Sequence, residues 1–226
     1  MATRQAFIDL IAPIAVKLRL EGSPIYPSVR IAQAILETGG SVNAWNNLVG
    51  YKVGRGVLTP YWQGAHVSTI TWEVIDGTRQ DNVPGDFRAY PTLEAGFRDQ
   101  DLLFGSSRYA GVRSADSPSE QALALSNSGY ATDPAYAAEL MAIIQTNQLT
   151  QYDEEVASML EKLQEQIEAL QNKVAALEGR MALDTIPDWA EAAVNAAIQA
   201  GLIDSPQNGS YDFYRLLTVL HRKGIV

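Results

Sequence analysis

Cysteine is absent from the chain, which excludes disulfides, thiolate zinc sites and thiol nucleophiles. Histidine is scarce: His66 and His221 stand far apart and form no pair at metal-ligand spacing, so neither a metal nor a cofactor is expected. Basic residues are in deficit, with 17 Lys and Arg against 26 Asp and Glu and a formal net charge of −9. Phosphate backbones and anionic lipid surfaces are bound by clustered Lys and Arg, so this balance argues against nucleic acid and against electrostatic membrane capture. Long apolar runs are missing too. No stretch approaches the ~20 apolar residues of a bilayer span, and no membrane insertion is expected. The start, "MATRQAFIDLIAPIAVKLRLEG", is interrupted by Asp9 and carries Lys17 and Arg19, with no small-residue cleavage site. Phe7, Leu10, Ile11, Ile14 and Leu18 instead fit one face of an amphipathic helix.

What is present describes a globular protein: 226 residues, 46% hydrophobic and 19% charged, enough for one sizeable core and a smaller attachment. In "PSVRIAQAILETGG", Pro27 suits the first helical position and Val29, Ala32, Ile35 and Leu36 recur at helical spacing. Thr38-Gly39-Gly40 then ends the helix. Glu37 is left at the negative end of the macrodipole, on an apolar helix and beside small residues that leave room for a cleft. A dipole end and partial desolvation both favour the protonated carboxyl, as a general acid for glycosidic cleavage requires. Such cleavage commonly uses a second carboxylate. Glu73, Asp76 and Asp86 are the candidates.

From Trp45 to Asp86 the chain turns to Gly, Asn, aromatic and β-branched residues. "HVSTITWEVIDG" alternates Val67, Thr69, Thr71 and Glu73 against Ser68, Ile70, Trp72 and Val74, which predicts a strand of a small hairpin with Glu73 on the Thr69 face. Helical spacing returns at "TLEAGFRDQDLLFG", "SPSEQALALSNSG" and "DPAYAAELMAIIQTNQL", with Pro118 and Pro134 near helix starts and Asp133 as an N-cap.

Residues 154–181 carry a heptad seam: Leu160, Ile167, Val174 and Met181 at a, Val156, Leu163, Leu170 and Leu177 at d. This predicts a coiled-coil homo-oligomer. β-Branched residues at two of the four a positions, with Leu at three of the four d positions, favour a parallel dimer, in which Lys173 at g faces Glu178 at e of the neighbour. The last segment reads as helix, Gly-containing loop, helix, with Trp189, Ala193, Ala197 and Leu202 on one side and Tyr214, Leu217 and Leu220 on the other.

The successive motifs "PSVRIAQAILETGGS", "NNLVGYK", "TITWEVIDG", "DFRAYPTLEAGFRDQDLLF" and "GYATDPAYAAELMAII" resemble, in order, those of bacterial and phage glucosaminidases of glycoside hydrolase family seventy-three. The resemblance spans about residues 5–152. It implies an α+β, mainly α chain: a lysozyme-like catalytic domain with a small β-lobe, then a coiled-coil helix and a small helical C-terminal motif. It implies cleavage of the β-1,4 bond on the reducing side of N-acetylglucosamine in peptidoglycan. By the same resemblance Glu37 matches the catalytic acid, Glu73 the β-lobe glutamate, and Tyr130 a tyrosine beside the acid. Asn46 and Asn47 match paired asparagines that contact sugar or satisfy a turn. Trp72 and Tyr136 are further substrate-contact candidates, and Trp45, Tyr61 and Trp62 are alternative stacking platforms or lobe core. The family often has an aromatic after the acid's glycine, as in "ESGWG"; here "ETGGS" lacks it.

The final segment, with "IPDWAEAAVNAAIQAGLI", resembles one S-layer homology repeat, although "YDFYRLLTVLHRKG" lacks the usual Thr-Arg-Ala-type motif. That family works as three repeats, which sets a trimer against the dimer read from the seam. The expected organisation is thus a catalytic domain over 1–152, an oligomerising coiled coil over 153–182 and a wall-binding motif over 183–226. With no export signal read at the start of the chain, the expectation is a phage or prophage endolysin, made in the cytoplasm of a bacterial host without a signal peptide and acting on the wall after release. Its partners are glycan strands and a secondary wall polymer. A lytic transglycosylase of the same fold and a non-catalytic wall-binding or phage structural protein are the alternatives.

Overall fold

The structure, a computed structural model, describes the backbone of residues 3–75, 78–131 and 133–226, and their side chains outside 71–82. Two compact units divide the chain, Met1–Leu160 and Glu161–Val226.

The first unit is built around a buried helix. Helix α1 (Arg4–Leu20) starts at Thr3, whose hydroxyl accepts from the Ala6 N–H, and buries Phe7, Ile8, Ile11, Ala12 and Ala15. The buried stripe is turned from the expected one: Leu10 is half exposed, because Ile8 and Ala12 face the core in its place. Helix α2 (Pro27–Thr38) has Pro27 in its first turn and ends at Gly39, which adopts φ 64. Every residue from Pro27 to Ile35 is buried, Arg30 and Gln33 included, so α2 is enclosed on all faces rather than one.

Strands β1 (His66–Ile75) and β2 (Thr78–Arg88) form the expected hairpin, antiparallel, with His66 opposite Arg88 and Ile75 opposite Thr78. Between Thr71 and Glu73 the register slips, the first strand advancing two residues while the second runs from Val83 to Gln80. Helix α3 (Leu93–Phe104) is capped by Thr92, and a 3-10 turn (Ser107–Tyr109) leads into the short α4 (Ala110–Arg113). Helix α5 (Pro118–Asn127) is capped by Ser117 with Pro118 in its first turn. Helix α6 (Tyr136–Thr146) begins two residues later than expected, with Ala135 at the cap position. Asp133 accepts from the Ala135 N–H and shapes the preceding turn instead of capping the helix.

Helix α7 (Thr150–Met181) is continuous. Its first turns belong to the first unit: Val156 is buried, and Asp153 Oδ1 accepts from the Ser28 N–H at the start of α2, 2.9 Å away. From Leu160 to Met181 the a and d side chains are all exposed.

The second unit packs α8 (Glu191–Gln199) against α9 (Tyr211–Arg222) over Ala190, Ala193, Val194, Ala197, Tyr214 and Leu217. Trp189 and Leu202, expected on the buried side, are exposed, because Ala190 and Val194 fill the helix contact. Tyr214 closes the loop by donating to the Pro206 carbonyl at 2.7 Å and accepting from the Gly209 N–H at 3.1 Å.

Candidate active site

Helix α2 brings Glu37 to the floor of a cleft of about 870 Å³ in the first unit, between the helical body and the hairpin. Thr38 secures the helix end: its hydroxyl donates to the Ala34 carbonyl at 2.6 Å and accepts from the Gly40 N–H at 3.2 Å. Glu37 is open toward the cleft, while protein closes in on its other sides. Water touches the carboxyl without hydrating it as bulk solvent would. This desolvation pushes its pKa up to about 7, and no hydrogen bond to it occurs among the described residues to counter the rise. At neutral pH the proton is therefore still held by an appreciable share of the molecules.

The loop after α2 approaches the acid directly. Gly50, at φ 65, sits so close that a β-carbon there would lie 3.2 Å from Glu37 Oε2. Gly50 is a site residue that residue-by-residue reading passed over; its signal was its place in "NNLVGYK".

An aromatic wall stands on the α side. Tyr130 lies 5.6 Å from Phe104, 6.3 Å from Tyr109 and 5.9 Å from Tyr136, measured between ring centroids. Burial holds the Tyr130 phenol well above its usual range, and the neighbouring Tyr136 and Glu37 add to the rise. Burial likewise raises Tyr136, with the Gln33 hydrogen bond opposing it. Both phenols keep their protons at any working pH. Tyr130 and Tyr136 line the same cleft as Glu37.

The asparagine pair organises the lobe's base. Asn46, at φ 54, donates its amide to the Tyr90 carbonyl at 3.0 Å. Asn47 is buried, donating to the Tyr51 and Arg88 carbonyls at 2.8 and 2.9 Å and accepting from the Tyr51 N–H at 3.0 Å. Both amides hold main chain in place, as turn asparagines do. Asn47 borders the cleft; Asn46 does not.

Trp62 is buried and donates to the Ala65 carbonyl at 2.6 Å, with the Arg88 guanidinium 4.1 Å above its ring. It is lobe core. Arg88 also pairs with buried Asp99 at 2.7 Å, and Asp99 accepts from Tyr90 at 2.8 Å and Thr59 at 2.6 Å. This cluster ties β2 to α3 and went unread in the sequence, where an Arg and an Asp eleven residues apart look like ordinary surface charges. Trp45 borders the cleft and Tyr61 does not.

Of the second-carboxylate candidates, Asp86 is exposed, accepts from Ser68 across the hairpin at 2.5 Å, and stands outside the cleft lining. Glu73 lies on β1 with its side chain outside the described residues, as are the Trp72 side chain and all of Asp76. Thr69, on the predicted Glu73 face, borders the cleft. Among the described residues no group of His, Asp and Glu could hold a metal, and no helix is long and apolar enough to cross a membrane.

A helical body with a small hairpin lobe, and among the described residues a desolvated acid, Glu37, on the floor of the cleft between them, defines a lysozyme-like fold. The chain belongs to the glucosaminidase family, described as mannosyl-glycoprotein endo-beta-N-acetylglucosaminidase, which it matches over residues 13–149. It is 38% identical over 161 residues to the exo-glucosaminidase LytG of Bacillus subtilis, covering 67% of this chain and 54% of LytG. A peptidoglycan hydrolase mutant from Sphingomonas sp. A1 superposes with a TM-score of 0.55 at 34% identity, over 67% of this chain and 99% of that one. The catalytic domain of the autolysin Auto from Listeria monocytogenes does so with a TM-score of 0.54 at 29% identity, over 67% and 90%. The chain spans about half the length of the curated relative, LytG, and nearly all of each of these catalytic domains.

Proposed function

We propose that the protein is a peptidoglycan hydrolase, an endo-β-N-acetylglucosaminidase that cuts the β-1,4 bond between N-acetylglucosamine and N-acetylmuramic acid. The observation that carries this reading is the Glu37 carboxyl, held near pKa 7 by desolvation in a cleft walled by tyrosines. The names of the relatives support glucosaminidase action on peptidoglycan, LytG being named an exo-acting enzyme, and the endo mode follows the family description. A carboxyl that still holds its proton near neutrality can deliver it to the glycosidic oxygen as the C1–O bond breaks. The leaving sugar departs as an alcohol, and positive charge develops at C1. Glu73, or the substrate's own acetamido oxygen, meets that charge from the other side. Water then adds to C1, and its proton returns to the Glu37 carboxylate.

The exposed seam of α7 supports self-association through 154–181, as a dimer or trimer. Several catalytic heads on one stalk would raise the effective concentration at a polymeric substrate. Residues 183–226 serve as the wall-polymer module, and the whole acts as an endolysin on the wall of a bacterial host.

Purified peptidoglycan digested by the wild type and by Glu37→Gln tests the reading by mass spectrometry. Reducing N-acetylglucosamine ends from the wild type alone are expected. Anhydro ends would make it a transglycosylase, and an unchanged wall would make it a binding protein.

A further inference from the structure

Helix α2 carries Arg30, Gln33 and Glu37 three and four residues apart, so the three lie along one face. The first two are fully buried, and a buried polar group must be matched donor to acceptor. Arg30 has donors only. Its guanidinium donates to Gln100 Oε1 at 3.0 Å, to the Phe97 carbonyl at 3.2 Å and to Ser23 Oγ at 2.8 Å, and it pairs with Asp101.

That fixes a direction. Because a guanidinium cannot accept, the Gln100 atom facing it is the oxygen, and the Gln100 NH2 points the other way. This NH2 donates to the Tyr130 hydroxyl at 3.0 Å and to Gln33 Oε1 at 3.4 Å. With its oxygen turned to Gln100, Gln33 donates its own NH2 to the Tyr136 hydroxyl at 2.9 Å. Both phenol oxygens therefore accept. The Tyr130 proton has the Val49 carbonyl at 3.4 Å, whereas the Tyr136 proton meets no acceptor among the described residues. Tyr136, only 3% exposed, borders the cleft together with Glu37.

We propose that Arg30, Gln100 and Gln33 are positioning residues, a one-way hydrogen-bond relay that turns the Tyr136 hydroxyl into a donor to an oxygen of the sugar bound beside Glu37. The identity of that sugar rests on the functional reading above; the polarity of the relay does not. Neutral amides serve here because a glutamine can be held in one orientation by a fixed cation at its far end. A carboxylate at position 100 would accept on every side. Gln33 would then swing its NH2 toward position 100, present its oxygen to Tyr136, and capture the proton meant for the sugar.

Gln100→Glu makes that reversal while keeping shape and the partner for Arg30. With peptidoglycan as substrate, Tyr136→Phe lowers kcat about 10- to 100-fold with little change in KM, as expected for one lost donor. Gln100→Glu lowers it comparably, and the double variant is no slower than Tyr136→Phe alone, since both remove the same proton. Additive losses, or full activity in Tyr136→Phe, would overturn the relay. A readout without substrate is the 13Cζ resonance of Tyr136, assigned by its disappearance in Tyr136→Phe. It moves toward the phenolate position in Gln100→Glu as the phenol becomes a donor to Gln33. An unmoved resonance in a variant that melts like the wild type sinks the relay. An undigested wall with a moved resonance sinks the functional reading instead.

Discussion

Gly50 leaves little room for a side chain against Glu37: its missing β-carbon would sit 3.2 Å from the carboxyl oxygen. The glycine belongs to a loop whose other members, Asn47 and Tyr51, are joined by part-buried hydrogen bonds. This close backbone adds to the burial that raises the acid's pKa.

Gly50→Ala is expected to be costly twice. The left-handed backbone at φ 65 strains any β-carbon by about 1–2 kcal/mol, and the methyl crowds the carboxyl. Activity should fall at least about tenfold with a melting point lower by about 2–8 °C. Wild-type turnover in this variant would show that the loop does not shape the acid.

The raised pKa of Glu37 sets a pH signature. As the proton donor, it predicts an alkaline limb in kcat/KM with its midpoint at about 7. The same shift acts on stability. The folded state holds this proton up to about pH 7 while the unfolded chain releases it near 4.5, so the native state binds more protons in that window. Stability therefore falls as pH rises from 4.5 to 7 and is level above. Glu37→Gln removes that slope and melts higher than the wild type at pH 8 but not at pH 4. After discounting for solvent in the cleft, the gain is about 1 kcal/mol or less. Thermal melts across pH 4–8 check it.

Asp99 neutralises Arg88 at the root of the hairpin while accepting from Tyr90 and Thr59. Asp99→Asn strands a buried guanidinium and is expected to cost about 3–5 kcal/mol. Denaturant unfolding measures it. A loss under 1 kcal/mol would show that Arg88 finds other partners.

Lysine at two d positions of the α7 seam, Leu163→Lys with Leu170→Lys, is expected to dissociate the oligomer to single chains at micromolar concentration. Sedimentation of the full chain reads this directly. A wild type that already sediments as one chain would remove the oligomer from the proposed function.

Much of this architecture was legible along the chain. Pro27 and Gly39 bracket α2, Pro118 stands in the first turn of α5, and the hairpin and the long heptad helix appear where periodicity placed them. These features are local, set by dihedral preference and by the repeat of apolar residues. Local rules failed where packing chose between equivalent faces. Leu10 turned outward, Trp189 and Leu202 stayed exposed, and Asp133 shaped a turn instead of capping α6.

Position 37 could be read as an acid at a helix end from sequence alone, because type, order and flanking glycines all lie within a few residues. What surrounds it could not. Gly50, Gln100, Tyr130 and Tyr136 converge on α2 from segments far apart in the chain. Desolvation and hydrogen-bond direction are properties of that convergence: they depend on which atoms meet in space, and only the tertiary fold decides that.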